Sequence, residues 1–156
     1  MLVGSEGTLG IVTKIVLKLR THPTHDMLML VPFYEAKEAC QAVSAIFRAG
    51  IVPSGLEFME KDALLLAQKF TEDYSVKVAD SHEAHLLIEV DGFDAELLMK
   101  ECEQIINVLE DFQTDEILFA DSEAQKNTLW NLRRKVGEAV KGLSLIHISE
   151  PTRPLI

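Results

Sequence analysis

The chain has 156 residues, a hydrophobic fraction of 47% and a formal net charge of −10. This length suits one domain with its own core and is too short for two full domains, and the composition argues against disorder. The acidic excess argues against nucleic acid or an anionic membrane surface as the partner, because binding phosphate groups requires surplus Lys and Arg. No apolar run approaches the roughly 20 residues that cross a bilayer, and no secretory signal is visible, so we expect a cytoplasmic protein.

The first feature in chain order is the glycine-rich stretch GSEGTLG at residues 4–10. Its glycines permit positive φ and let the backbone pass close to a ligand. The hydroxyls of Ser5 and Thr8 can hydrogen-bond to a phosphate or to the edge of a ring. The spacing matches neither GxGxxG nor the P-loop. On spacing alone, an ordinary glycine-rich turn that leads into a strand is the favoured interpretation.

A strand is predicted next, over residues 8–20, because its side chains alternate with a period of two. Residues 21–25 interrupt this pattern, since Pro23 cannot donate a ladder hydrogen bond and restricts the residue before it. We interpret this segment as a linker between two domains.

Beyond the linker, the hydrophobic periodicity predicts alternating strands and helices. The predicted strands cover residues 27–33, 54–59, 85–91 and 114–120, and the predicted helices cover 35–49, 61–70, 94–111 and 122–141. Gly50 is a suitable αL stop, Asp94 a suitable N-cap, and Ser122 with Gln125 a suitable capping box.

The order of these elements is β-α-β, a short extra helix, then β-α-β, which is that of a ferredoxin-like α+β sandwich with helices on one face of an antiparallel sheet. A doubly wound parallel sheet is the competing assembly. It would require a glycine-rich turn between a strand and its helix, and no junction in the sequence has one.

Several reactive side chains offer no site on their own. Cys40 and Cys102 fall on predicted helices and are expected to be buried free thiols. The two histidines that flank Pro23 lack a third metal ligand. We expect His82 and His85 to lie at the surface and at a strand edge.

Residues 143–156 continue neither the last helix nor a clear strand. The string closely resembles a translated transposase-adapter sequence of the kind used to prepare sequencing libraries. We therefore expect this tail to be non-native, which removes His147 as a candidate ligand.

Three stretches together resemble one family. The run GSEGTLGIVTKIVLKL is similar to the closing segment of the FAD-binding domain in FAD-linked oxidases of the vanillyl-alcohol oxidase/PCMH superfamily, in the branch of glycolate oxidase flavin subunits and D-lactate and D-2-hydroxyglutarate dehydrogenases. PSGLEFMEKDAL and LWNLRRKVGEAV resemble two motifs of the C-terminal domain of that family. The resemblance implies that residues 1–21 end an FAD-binding domain and that 26–142 form part of the C-terminal domain.

The resemblance also implies roles for individual residues. Arg133 matches an arginine that grips the substrate carboxylate, whereas periodicity alone favours a solvent-facing charge on a helix or an ion-pair partner for one of the many acidic side chains. Gly137 replaces a hydroxyl that assists binding in some relatives, which argues against a dicarboxylate substrate. No catalytic base and no metal ligand can be assigned, since the paired-histidine metal motif of the family is missing. The residues that match the FAD-wrapping segment are Gly4, Ser5, Glu6, Gly7, Thr8, Leu9, Gly10 and Ile11.

The activity implied is that of an FAD-dependent oxidoreductase that converts a small 2-hydroxy acid, such as glycolate or D-lactate, to the 2-oxo acid. An iron–sulfur or electron-transfer partner subunit, and through it a position at the periphery of the inner membrane, are further implications. The chain reads as a truncated fragment that is inactive alone. The alternative is a stand-alone ferredoxin-like binding or regulatory domain without catalysis.

Overall fold

The computed structural model describes residues 2–120 and 122–142. Seven of the eight predicted elements beyond the linker lie within two residues of their expected ends. The elements are β1 (His25–Phe33), α1 (Ala36–Arg48), β2 (Gly55–Glu60), α2 (Lys61–Thr71), β3 (Ala84–Gly92), α3 (Ala95–Leu109), β4 (Leu118–Phe119) and α4 (Glu123–Gly142). The tail whose origin was predicted above lies outside the described residues.

The strands form one antiparallel sheet in the order β2-β3-β1-β4. β1 and β3 pair along their whole lengths, from His25 opposite Gly92 to Phe33 opposite Ala84. This order, with two β-α-β halves interleaved, confirms the predicted ferredoxin-like α+β fold.

Helices cover both faces of this sheet, whereas the sequence predicted them on one. α1 and α3 pack on one face against Met29 and Val31 of β1. α2 and α4 pack on the other face against Leu28 and Leu30 of the same strand. The physical reason is that the central strands are apolar at both parities, so that each face of the sheet must be removed from water.

β4 is shorter than the predicted strand at 114–120. Only two of its residues pair with β1, and a single bridge joins Phe33 to Thr114. Between these two points the backbone N–H of Asp115 donates to the carbonyl of Pro32 at 3.1 Å. The carboxylate of Asp115 accepts from the backbone N–H of Glu116 at 2.8 Å and lies 2.9 Å from Nε2 of His82.

The predicted strand at 8–20 is not formed. Residues 10–23 have no regular secondary structure and are almost entirely exposed, including the apolar side chains of both parities. A strand is stabilised by ladder hydrogen bonds to a neighbour, and none of the described strands pairs with this segment. The alternating pattern therefore indicates a capacity for pairing that is not used within the described structure.

The helix ends follow the predicted signals. Gly50 follows α1 with φ +83°, and Asp94 Oδ1 accepts from the backbone N–H groups of Glu96 and Leu97 at the start of α3. Of the two free cysteines, Cys102 is buried as expected, but Cys40 is exposed. Cys40 lies on the outer side of α1, whose buried side chains are those of Ala39, Ala42 and Ile46.

Candidate functional site

The glycine loop at residues 4–10 adopts the backbone conformations that its sequence predicts. Gly4 and Gly7 have φ of +82° and +80°, and Glu6 between them has φ of +47°. Ser5 Oγ donates to the carbonyl of Leu2 at 2.8 Å, and Thr8 Oγ1 donates to the carbonyl of Ser5 at 2.6 Å. These local bonds hold two successive turns while leaving the lone pairs of both hydroxyls available.

The loop is open on its outer side. A Cβ added at Gly4 or Gly7 would meet no heavy atom within 4 Å, and Leu9 and Ile11 beside it expose most of their apolar surface. Such a surface fits one wall of a flavin site, because the backbone can approach a phosphate closely and the apolar side chains can cover a ring. Apart from Ser5, which is half-buried, the residues of this loop are exposed, so no other described part of the chain encloses it.

Arg133 lies on α4, where its guanidinium faces the edge strand β2. Its Nη2 donates to Oε2 of Glu57 at 2.8 Å, and the two side chains are 41% and 34% exposed. An arginine has five N–H donors, so a single bond of this kind leaves donors that a ligand carboxylate could take.

Trp130, one turn before Arg133, seats α4 on the sheet. A Cβ at Gly55 would lie 3.3 Å from Trp130 Cη2, so the indole lies directly over the start of β2. Glu89 lies beside this contact. Burial and the nearby Asp26 raise the pKa of the Glu89 carboxyl, while a hydrogen bond from Trp130 lowers it by a smaller amount. The structure thus places Arg133 on a helix that is fixed against β2 and β3.

The predicted site residues are not brought together by the described structure. The glycine loop belongs to the irregular N-terminal segment, and Arg133 lies on α4; among the described residues, no hydrogen bond or ion pair joins the two. Their roles in one site therefore stay predictions.

His82 and His85, which were expected at the surface and at an edge, are instead buried, with 4% and 1% exposure. Their rings meet edge to face at 5.4 Å, and Tyr34 meets His82 similarly at 5.6 Å. His82 Nε2 lies 2.9 Å from Asp115 Oδ2. The signal that the sequence did offer is parity, since His85 points to the same face of β3 as the buried Leu87.

The histidine pair is polar and poorly solvated. Both ring nitrogens of His85 and Nδ1 of His82 are buried without a hydrogen-bond partner among the described residues. Burial, with a smaller contribution from His82, lowers the pKa of His85 to about 4, so its ring is neutral near neutral pH. The backbone N–H of Glu116 and the ring of His82 hold the pKa of Asp115 below its usual value.

A cavity of about 540 Å³ adjoins these histidines. Its wall combines polar side chains with apolar residues of β1, β4 and the loop before β3, and neither Arg133 nor the glycine loop lines it. In the described part of the chain, no three His, Cys, Asp or Glu side chains are grouped as a metal site requires.

Comparison with known proteins identifies a family for this arrangement. The family described as FAD linked oxidases, C-terminal domain, matches residues 22–152. This range includes part of the tail that was predicted to be non-native, and the origin of the tail stays a prediction.

Three curated relatives align with most of the chain. A protein named D-lactate dehydrogenase from Anaerostipes hadrus is 31% identical over 144 residues, which are 90% of this chain and 30% of that protein. Glycolate oxidase subunit GlcD of Escherichia coli (strain K12) is 31% identical over 145 residues, 92% of this chain and 28% of the relative. Glycolate oxidase subunit GlcD of Bacillus subtilis (strain 168) is 36% identical over 143 residues, 86% of this chain and 29% of the relative.

The chain therefore spans less than a third of the length of these curated relatives. In the residues that the structure describes, no helix combines the length and the apolar character needed to cross a membrane.

Proposed function

The chain belongs to the family of FAD linked oxidases, C-terminal domain, and from this premise we propose that it forms part of an FAD-dependent oxidoreductase. The reaction proposed is oxidation of a small 2-hydroxy acid, of the glycolate or D-lactate type, to the 2-oxo acid. The observation that carries the proposal is the 31–36% identity, over most of this chain, to relatives named D-lactate dehydrogenase and glycolate oxidase subunit GlcD.

The proposed domain division follows from the same match. Residues 1–21 would end an FAD-binding domain and 26–142 would form the C-terminal domain, and the start of the family match at residue 22 supports that boundary. We further propose that residues 143–156 are non-native.

Two parts of the chain carry the proposed chemistry. The open glycine loop would hold FAD through backbone N–H groups and the hydroxyls of Ser5 and Thr8, as its positive φ values permit. When bound, FAD supplies the acceptor for the two electrons of the substrate. Arg133 would bind the substrate carboxylate through the donors that Glu57 leaves free, and would thereby orient the 2-hydroxy carbon.

The experiment uses the complete open reading frame that encodes this chain. Initial rates are measured with glycolate, D-lactate and L-lactate and an artificial electron acceptor. We expect oxidation of glycolate or D-lactate, and a loss of at least about tenfold in kcat/KM for Arg133→Met, because the carboxylate loses a charged hydrogen-bond partner. Arg134→Met is the matched control, since its side chain lies next in sequence and is exposed. Equal rates for the two variants would remove Arg133 from the site.

A second test addresses the 156-residue chain by itself. We expect it to retain FAD weakly and to show no turnover, because the described residues supply only one open wall of a flavin site. The measurement is the flavin content of the purified chain after gel filtration. A chain that stays yellow and oxidises 2-hydroxy acids would contradict this part of the proposal, whereas a folded chain from a gene with no flavin-binding portion would favour a stand-alone binding or regulatory domain.

We also propose that the assembled protein is cytoplasmic and passes electrons to an iron–sulfur or electron-transfer partner subunit. Two relatives are named glycolate oxidase subunit GlcD, which supports a multi-subunit assembly. Co-purification of the complete protein from its native host, followed by measurement of iron content, tests this; a lone flavoprotein that is fully active with its natural acceptor would refute it.

A further inference from the structure

We propose that Glu57 is a positioning residue, which fixes the guanidinium of Arg133 in the orientation that receives a substrate carboxylate. This inference rests on the proposed function and adds to it a residue that does not itself touch the substrate. Its basis is the 2.8 Å bond between Arg133 Nη2 and Glu57 Oε2, together with the elements that hold its two ends.

The two ends of this bond are fixed by different parts of the fold. Glu57 lies on β2, whose backbone pairs with β3 and places Glu57 opposite Leu87. Arg133 lies on α4, which packs against the sheet through the buried side chains of Leu129 and Leu132. The bond therefore joins a strand and a helix that are each held by other contacts, so it orients the guanidinium of Arg133 relative to β2.

Arg133 needs such a support because its side chain is long and 41% exposed. An unrestrained arginine loses rotamer freedom when it binds a ligand, and that entropy opposes binding. Glu57 provides the only hydrogen bond to this guanidinium within the described part of the chain. The restraint is thus present before a ligand arrives, which is the usual way in which preorganisation raises affinity.

Stability alone does not account for the pair. Ion pairs with this degree of exposure contribute little to folding, since water screens the attraction and the side chains lose entropy. The guanidinium retains donors beyond Nη2, and a carboxylate can use two of them in a planar fork. Glu57 therefore occupies one donor and orients the others.

The strand that carries Glu57 also contacts α4 at Gly55, two residues before Glu57 in the sequence. The indole of Trp130 lies over Gly55, where an added Cβ would come within 3.3 Å of Cη2. Ser54 Oγ, next to Gly55, donates to the carbonyl of Glu89 at 3.1 Å. The start of β2 is thus fixed on both sides, which sets how far Glu57 reaches towards the helix.

The test is steady-state kinetics on the complete protein with glycolate and D-lactate as the probes. Glu57→Ala is expected to raise KM about tenfold and to change kcat by less than about threefold, because the substrate and the transition state lose the same oriented donor. Glu57→Gln keeps an acceptor oxygen at the same reach, so KM is expected to return at least halfway, on a logarithmic scale, to the unsubstituted value. Glu60→Ala, an exposed acid on the same strand, is the control and should leave both constants unchanged.

The outcomes distinguish a failure of the role proposed for Glu57 from a failure of the proposed enzymatic function. If Arg133→Met impairs turnover while Glu57→Ala leaves KM unchanged or lowers it, Glu57 is a bystander or a competitor of the substrate, and the inference is overturned. If Glu57→Gln is as impaired as Glu57→Ala, the hydrogen-bond explanation is overturned. If no 2-hydroxy acid is oxidised by the unsubstituted protein, it is the proposed function that fails, and Glu57 loses its role with it.

Discussion

Replacement of His85 by Leu should remove the contribution that this buried histidine makes to the acid sensitivity of folding. His85 is 1% exposed, and burial lowers its pKa from the ordinary histidine value of 6.5 to about 4. Unfolding restores the ordinary value, so between these two values the unfolded chain binds more protons than the folded one. Stability is therefore fully present above about pH 6.5, declines as the pH falls, and reaches its full loss below about pH 4.

The size of this change in folding stability follows from the two pKa values of His85, in the unfolded and in the folded chain. One pKa unit corresponds to about 1.4 kcal/mol, so protonation of this ring costs the folded state about 3 kcal/mol when complete. At about pH 5, where the unfolded histidine is almost fully protonated and His85 in the folded protein is largely neutral, the loss is about 2 kcal/mol. Leu cannot titrate, and it places apolar atoms where His85 now buries two unpartnered nitrogens.

The assay is urea unfolding of the 156-residue chain, followed by the fluorescence of its single tryptophan. The free energy of unfolding of the His85→Leu variant, minus that of the unsubstituted protein, should increase by about 2 kcal/mol between about pH 7.5 and about pH 5. Most other titrating groups are common to both proteins and cancel in this difference. His25→Leu, which removes an exposed histidine, should show no such increase. A difference that is flat with pH for His85→Leu would refute the burial argument.

Two further predictions concern helix ends. Gly50→Ala should lower the free energy of unfolding by about 1 kcal/mol, because φ is +83° there while the space around an added Cβ is empty, so that only backbone conformation is penalised. Gly142→Ala changes the last residue of α4, where the space is also empty but φ is not positive, and it should be neutral or slightly stabilising in the same urea titration. Asp94→Ala should lower the free energy of unfolding by about 1 kcal/mol, because the N-cap is lost. Asp94→Asn keeps an acceptor oxygen for the N–H groups of Glu96 and Leu97 and should lower it by less than half as much. Equal losses for the two variants would show that charge, and not the cap bond, stabilises the start of α3.

Much of the fold could be predicted because its signals are local. Gly50, Asp94 and Ser122 act within one turn of a helix end, and the structure shows each at the position that its chemistry predicts. The strand pairing followed from the order of elements, since two β-α-β halves with short connections have few right-handed arrangements.

The errors arose where a residue's environment is set by distant parts of the chain. The strand predicted at 8–20 has the correct alternation, but a strand also requires a neighbour, and its sequence cannot state whether one is present. The second layer of helices is a different case, because apolar residues at both parities of β1, such as Met29 and Leu30, indicate locally that both faces of the sheet are covered.

In the candidate site, too, features set by the local sequence were predictable and features set by distant contacts were not. The positive φ values of Gly4 and Gly7 are properties of glycine and were predictable. The partner of Arg133 was not, because Glu57 is 76 residues away and becomes a neighbour only when α4 packs beside β2. His85 was misplaced because a polar residue at the start of a strand is usually exposed, whereas here α2 and α4 cover the face to which it points.

We propose that this chain belongs to a flavoenzyme that oxidises small 2-hydroxy acids. The most direct measurement is the visible absorbance of the complete protein's bound flavin, recorded without oxygen while glycolate, D-lactate or L-lactate is added. Glycolate or D-lactate should bleach the oxidised flavin, and the Arg133→Met variant should require far more substrate for the same bleaching. A flavin that no 2-hydroxy acid reduces, or a complete protein that binds no flavin, would contradict it.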